Sequence, residues 1–216
     1  MFTEQQFTTL YQMLDLPFFN LAANIDCGST TFSNCSRFCC GCNAQQPGPT
    51  KWLLPNEVFF LVENNFHTFA DIQNIGYMFI YNSHQPLSCA CEKIREYRPF
   101  CCRIFPFRPV LDVNTKKVTD IFRNHVNDSP CWISFPSQLW KAKAVQAWDF
   151  VFSDLDNLRF FSRIYLILDL AKKLPVGTSF SDAFKIYPAE ERKILSVETF
   201  SLDELWTLSA KYFLST

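Results

Sequence analysis

Hydrophobic positions recur at helical spacing at both ends of the chain. The first set consists of Phe2, Phe7, Leu10, Tyr11 and Leu14. Its period is close to 3.6 residues and predicts an amphipathic helix over residues 2–14. After residue 135 the same kind of pattern predicts helices over residues 137–154, 158–174, 188–197 and 201–216. We therefore predict a mainly α fold with a helical C-terminal half.

The middle of the chain carries weaker patterns. Residues 27–49 are rich in Cys, Ser, Thr, Asn, Gly and Pro and have no hydrophobic period, which predicts a loop. Asn56 is placed to cap a helix whose first turn contains Glu57. A strand is predicted within residues 76–88, and residues 103–113 read as extended chain interrupted by two prolines. We expect irregular, metal-stapled loops and a few short strands here.

The positions of the cysteines and of the helical patterns suggest two regions. All ten cysteines lie at or before residue 131, and the sequence beyond is helical. We predict a cysteine-cluster metal-binding module over residues 1–135 and a helical C-terminal region over residues 136–216. The second region should pack on the first, because no flexible or highly charged linker separates them. A single domain spanning both regions is the alternative.

Several polar patterns indicate helix ends. Ser201 followed by Glu204 is the capping-box arrangement. Asp154 and Asp156 form a carboxylate pair at a predicted helix edge, where acids commonly cap or face solvent. Glu190–Glu191 is a similar pair. We interpret these acids as structural.

Composition and charge narrow the function classes. Hydrophobic residues make up 48% and charged residues 19% of the chain, which indicates a globular protein and not a disordered one. The net charge of -1 gives no overall attraction to nucleic acid, so we do not expect a nucleic-acid partner. The first 20 residues lack secretory-leader features, and no apolar run approaches the roughly 18 residues that span a bilayer. We expect a cytoplasmic protein without membrane association, whose partner, if any, is a protein.

The cysteines form two dense groups and one late position. They are Cys27, Cys35, Cys39, Cys40 and Cys42, then Cys89, Cys91, Cys101 and Cys102, and finally Cys131. In a reducing compartment such groups indicate metal or redox chemistry more than disulfides. Two short loops that each supply thiolates can build one metal site when the fold joins them. The alternative is a disulfide set in an exported protein, which the even count and the Asn-x-Ser triplets at Asn34 and Asn127 would fit.

Arginines accompany both cysteine groups. Several thiolates on one divalent ion leave a net negative charge, which nearby cations and N–H donors stabilise. The arginines near the cysteines are Arg37, Arg95, Arg98 and Arg103. The alternatives are a solvated charged face or a weak RNA-binding patch with the interleaved aromatic side chains Tyr97, Phe100, Phe105 and Phe107.

Three stretches of this region resemble a known family. They are CSRFCC at residues 35–40, LLPNEVFFL at residues 53–61 and CEKIREYRPFCCRIFPF at residues 91–107. They resemble the YkgJ-type cysteine-cluster family, which is described as zinc- or iron-chelating. The closest agreement is at Arg98-Pro99, Cys102-Arg103 and Phe105-Pro106-Phe107. The resemblance covers roughly residues 27–131, and the helical remainder carries no family signature.

The resemblance implies a set of metal ligands. It assigns the chelating role to Cys35, Cys39, Cys40, Cys91 and Cys102, with Cys131 as the residue that completes the site. A second set of candidate ligands contains Cys27, Cys42, Cys89 and Cys101. Arg98 and Arg103 would offset the thiolate charge. Zinc is the favoured cofactor because ferredoxin-type cysteine runs are absent, and iron or an iron–sulfur cluster is the alternative.

Motifs for other chemistry are missing. The chain has only five glycines and no Gly-rich phosphate loop, and its three histidines lack zinc-protease spacing. We therefore expect a metal-binding protein and leave open whether it is an enzyme. One alternative is an iron–sulfur metalloenzyme such as a protein-lysine methyltransferase, since flagellin lysine methylases are similar in their cysteine cluster. The other is a redox thiol protein, suggested by the adjacent pairs Cys39–Cys40 and Cys101–Cys102.

Overall fold

The computed structural model describes residues 2–14, 51–64, 72–74, 79–81, 99–104, 107–123, 138–171 and 196–215, and this part of the chain is mainly helical. Its helices are α1 (Glu4–Met13), α2 (Glu57–Glu63), α3 (Phe100–Ile104), α4 (Gln138–Phe152), α5 (Leu155–Ala171) and α6 (Leu202–Ser215). Its strands are β1 (Lys51–Trp52), β2 (Ile72–Asn74), β3 (Phe79–Tyr81), β4 (Phe107–Asp112) and β5 (Lys117–Arg123). The mainly α class is confirmed, and the metal-stapled loops stay a prediction.

The N-terminal helix forms where the apolar spacing predicts it. It begins with a capping box, in which the Gln6 amide donates to Thr3 Oγ1 at 3.3 Å and the Thr3 amide donates to Gln6 Oε1 at 2.9 Å. The predicted apolar positions of this helix are all buried. Helix α1 is thus fixed at its start by local hydrogen bonds and along one face by the core.

The C-terminal helices also form as predicted, and their acids cap them. Asp154 Oδ1 accepts hydrogen bonds from the amides of Asp156 and Asn157 at 2.9 and 3.1 Å, which confirms its structural role. The Ser201 amide donates to Glu204 Oε2 at 2.7 Å, and the Glu204 amide donates to Ser201 Oγ at 3.3 Å, which confirms the capping box. Most of the helix predicted over residues 188–197 lies outside the described residues.

Helix α2 starts differently from the prediction. Asn56 occupies its N-cap position, but the Asn56 backbone is left-handed, with φ 66°, and its side chain makes no capping hydrogen bond. The predicted side-chain cap is therefore wrong. Asparagine fits this position because its short polar side chain tolerates the left-handed region better than most residues.

An aromatic cluster forms the centre of the hydrophobic core. Trp148 of α4 contacts Phe100 at 4.8 Å and Phe213 at 5.2 Å between ring centroids, and it stacks on Phe152 at 5.7 Å. Offset and edge-to-face pairs of this kind add to the gain from burying apolar area. The cluster joins α3, α4 and α6. The short helix α3, which contains Cys101 and Cys102, therefore packs directly on the core.

Small antiparallel sheets complete the structure. In one, β3 pairs with β1 and β2, and in the other β4 pairs with β5 across a bulge between Val110 and Leu111. Helix α4 packs on β5, α6 packs on β4, and α1 packs on α4. The N-terminal and C-terminal elements thus contact one another, and the boundary after residue 135 stays a prediction.

Within the described residues, no helix has the length and apolar character required to cross a bilayer.

Candidate functional site

A buried carboxylate joins three parts of the chain beside the second cysteine group. Glu57, the first residue of α2, is fully buried. Its Oε1 atom accepts hydrogen bonds from the Tyr11 hydroxyl at 2.6 Å and the Phe100 amide at 2.6 Å, and Oε2 accepts one from the Leu54 amide at 2.8 Å. A buried charge is tolerated only when donors replace its water. The carboxylate therefore links α1, the chain before α2 and the start of α3.

A buried arginine adds a positive charge to this group. Only 2% of the Arg103 surface is exposed, and its guanidinium carbon lies 4.0 Å from the centroid of the Tyr11 ring. This is cation–π geometry. Nη1 also approaches the Tyr11 carbonyl oxygen at 3.5 Å, a long hydrogen bond. We call Tyr11, Glu57 and Arg103 the buried polar cluster.

Burial dominates the electrostatics of this cluster. Burial raises the pKa of Glu57, while the hydrogen bonds from Tyr11, Phe100 and Leu54 and the charge of Arg103 oppose the rise. Burial also raises the pKa of Tyr11 well above its ordinary value, and the charge of Glu57 adds to this effect. The Tyr11 hydroxyl therefore keeps its proton and serves as a donor to Glu57.

The adjacent cysteines lie in a helix and not in extended chain. Cys101 and Cys102 follow Phe100 in α3, and the Arg103 amide donates to the Pro99 carbonyl oxygen at 3.0 Å. The extended conformation predicted from residue 103 is therefore wrong at the start of that range, although β4 confirms it from Phe107. Pro99 fixes φ before the helix and Glu57 satisfies the first helical amide, which favours a helical turn here.

A second buried tyrosine lies near the cysteine helix. Burial raises the pKa of Tyr212 to about 12, and the charge of Arg108 and a hydrogen bond with the Trp52 side chain oppose the rise. The half-buried Cys101 is close enough that its charge would raise the pKa of both Tyr11 and Tyr212. Cys101 thus lies near two buried phenols, each with an arginine nearby.

The cysteines outside α3 belong to three segments, which we call the cysteine segments: residues 15–50, 82–98 and 124–137. The ends of the first two lie together. Lys51, directly after the first segment, pairs with Tyr81, directly before the second. Glu57 binds Tyr11, near the entry to the first segment, and the Phe100 amide, near the exit of the second.

The third cysteine segment starts and ends near the beginning of β4, which follows α3 in the chain. Arg123, directly before it, pairs in the sheet with Phe107, which follows α3 after two residues. Trp140, near its exit, contacts the Phe107 ring at 5.2 Å between centroids. The ends of all three cysteine segments therefore cluster around α3 and the start of β4.

Most of the predicted ligands lie outside the described residues. These are Cys27, Cys35, Cys39, Cys40, Cys42, Cys89, Cys91 and Cys131, together with the predicted charge partner Arg98. Cys101 and Cys102 lie in α3, and Arg103 contacts Tyr11. Among the described residues, no three His, Cys, Asp or Glu side chains meet in a group that could hold a metal ion. The ligand set stays a prediction.

The sequence patterns did not reveal the buried polar cluster. Glu57 was interpreted as a first-turn acid, and Tyr11 as one apolar position of α1. A signal was present, because Glu57 is the sole charged residue in the apolar stretch LLPNEVFFL. An isolated carboxylate in such a stretch needs donors from elsewhere in the fold.

Comparisons of this chain with family models, curated proteins and solved structures find no match. The resemblance to the YkgJ-type family therefore rests on the motifs at residues 35–40, 53–61 and 91–107. Any functional conclusion has to come from the chain's own residues and geometry.

Proposed function

We propose that this protein binds zinc or iron through cysteine thiolates from its cysteine segments and from helix α3. The ligands we propose are Cys35, Cys39, Cys40, Cys91, Cys102 and Cys131. The observation that supports the proposal is the clustering of the segment ends around α3 and the start of β4. A metal site whose ligands come from distant parts of a chain requires that the fold bring those parts close together.

The clustered ends lower the entropic cost of assembling the site. Bringing distant ligands together costs closure entropy, which grows with the length of the intervening chain. Here the strand pair Lys51–Tyr81 and the bonds of Glu57 already hold the segment ends together. The core that carries them consists of aliphatic and aromatic side chains. The folded core therefore supplies a frame that holds the ends of the cysteine segments for metal binding.

The helical conformation of α3 argues against a disulfide between Cys101 and Cys102. The Cα atoms of adjacent residues are about 3.8 Å apart across a trans peptide, whereas disulfides usually join Cα atoms at least about 4.4 Å apart. A bond between the two would require distortion of the helix. This geometry favours metal ligation over the redox alternative for this pair.

Elemental analysis of the anaerobically purified full chain, combined with its visible absorption spectrum, tests the proposal. Colourless protein with stoichiometric zinc would identify a zinc site, and iron with the broad visible absorption of a cluster would favour the iron–sulfur alternative. Replacement of Cys39 and Cys40 by Ser should reduce the metal content. Protein that contains neither zinc nor iron, and that takes up neither when supplied, would contradict the proposal.

A further inference from the structure

We infer that Glu57 is a positioning residue for the metal site: its buried carboxylate holds the start of α3, the helix that contains the proposed ligand Cys102. This inference rests on the proposed function. Glu57 is not itself offered as a ligand, because both of its oxygens are engaged by Tyr11, Phe100 and Leu54.

The need for an external anchor follows from the size of α3. The helix has five residues. Isolated helices of that length are unstable in water, because the entropy lost on forming the first turn exceeds the free energy that one turn of hydrogen bonds contributes. Its first amide, that of Phe100, would lie buried without an acceptor if Glu57 were absent. The carboxylate removes this penalty and fixes where the helix begins.

Two further contacts fix the orientation of α3. The Phe100 ring packs against Trp148 at 4.8 Å, and the Arg103 guanidinium lies over the Tyr11 ring, whose hydroxyl binds Glu57. Phe100 and Arg103 flank the two cysteines in sequence. A shift at the helix start therefore moves the backbone of Cys102. Groups that orient ligands typically change metal affinity by about 10- to 100-fold when they are removed.

The test is a Co²⁺ titration of metal-free full-length protein, with the visible absorption of thiolate-bound cobalt as the signal. Glu57→Gln keeps the size of the side chain but removes the charge that strengthens all three hydrogen bonds, and it turns a donor toward at least one of the three bound donors. We expect it to weaken Co²⁺ binding by about 10-fold or more. The matched control is Ser162→Ala, which removes a buried hydrogen bond to the Leu205 carbonyl oxygen between α5 and α6. It should leave Co²⁺ affinity unchanged.

Hydrogen exchange at the Phe100 amide, measured on metal-free protein, separates positioning from other effects. Exchange should become faster in Glu57→Gln and stay unchanged in Ser162→Ala. If Glu57→Gln does not fold, Tyr11→Phe replaces it, because it retains the carboxylate and removes one donor. That variant should show the same two effects at smaller size.

Each remaining outcome contradicts either the inference about Glu57 or the proposed function. Unchanged exchange and unchanged Co²⁺ affinity in both variants would overturn the inference. Weaker Co²⁺ binding with unchanged exchange would also overturn it, since it would make Glu57 a ligand. If the wild-type protein binds no Co²⁺, zinc or iron, the proposed function fails, and faster exchange in Glu57→Gln would then show that Glu57 anchors α3 without serving a metal site.

Discussion

The Tyr11 hydroxyl lies 2.6 Å from Glu57 Oε1, although the two residues are 46 positions apart in the chain. Both groups are buried, so the hydrogen bond forms where water cannot replace it. Tyr11 is also the residue over whose ring Arg103 lies. Through Tyr11, the N-terminal helix therefore contacts both Glu57 and the helix that carries Cys101 and Cys102.

Removal of the Tyr11 hydroxyl should destabilise the protein by about 1–3 kcal/mol, because Tyr11→Phe leaves a buried carboxylate with one donor fewer. The measurement is urea unfolding of metal-free protein, followed by circular dichroism. The control is Tyr165→Phe, which removes a hydroxyl from the half-buried Tyr165 on α5. Tyr165→Phe should lower the free energy of unfolding less than Tyr11→Phe does. Equal stability of the two variants would contradict the prediction.

Alkaline pH should weaken the fold through Tyr212. Its pKa is raised from 10.0 to about 12 in the folded protein, mainly by burial. For a group whose pKa is raised on folding, the stabilisation is fully present below the unfolded pKa and is lost as the pH rises through the folded pKa. The loss attributable to Tyr212 should therefore occur between about pH 10 and pH 12 and amount to roughly 2–3 kcal/mol.

Tyr212→Phe isolates this effect. The variant should lack the Tyr212 part of the decline, so its urea midpoint should fall less steeply than that of the wild type over that range. Tyr11, whose pKa is also raised, contributes equally to both proteins. Parallel pH profiles of wild type and variant would show that Tyr212 does not titrate in this way.

Local patterns predicted the parts of the fold that local forces determine. The apolar spacing of residues 2–14 predicted α1, and Ser201 with Glu204 predicted the start of α6. In both cases the residues that specify the element are within one or two turns of one another. Capping and amphipathicity act over that range, so they can be recognised in a sequence.

One helix that depends on a distant contact was not predicted. Helix α3 was not predicted, and its last two residues fell within the range predicted as extended, because its first amide is satisfied by Glu57, 43 positions away. The buried polar cluster was missed for the same reason. The likeness of LLPNEVFFL and CEKIREYRPFCCRIFPF to one family did not reveal which atoms join the two stretches. Only the fold reveals that Glu57 binds the Phe100 amide.

The left-handed backbone of Asn56 leads to a further prediction. Asn56 was expected to cap α2, yet it lies at φ 66° without a side-chain capping bond. Asn56→Gly should leave stability within about 0.5 kcal/mol of wild type, because glycine adopts this conformation freely. Asn56→Ala should cost about 1 kcal/mol, because a Cβ atom is disfavoured there. Urea unfolding measures both, and a larger loss for glycine than for alanine would indicate that the side chain caps the helix after all.

Metal removal should leave the helical core folded. Small zinc domains unfold without their ion, but this chain buries a large aliphatic and aromatic core of its own. We expect chelator-treated protein to keep most of its far-ultraviolet helical signal. Its free energy of unfolding should fall by about 3 kcal/mol relative to protein in zinc at 100 times the dissociation constant. The variant with Cys39 and Cys40 replaced by Ser should respond less to zinc. Loss of the helical signal on chelation would mean that metal binding, and not the core, drives folding.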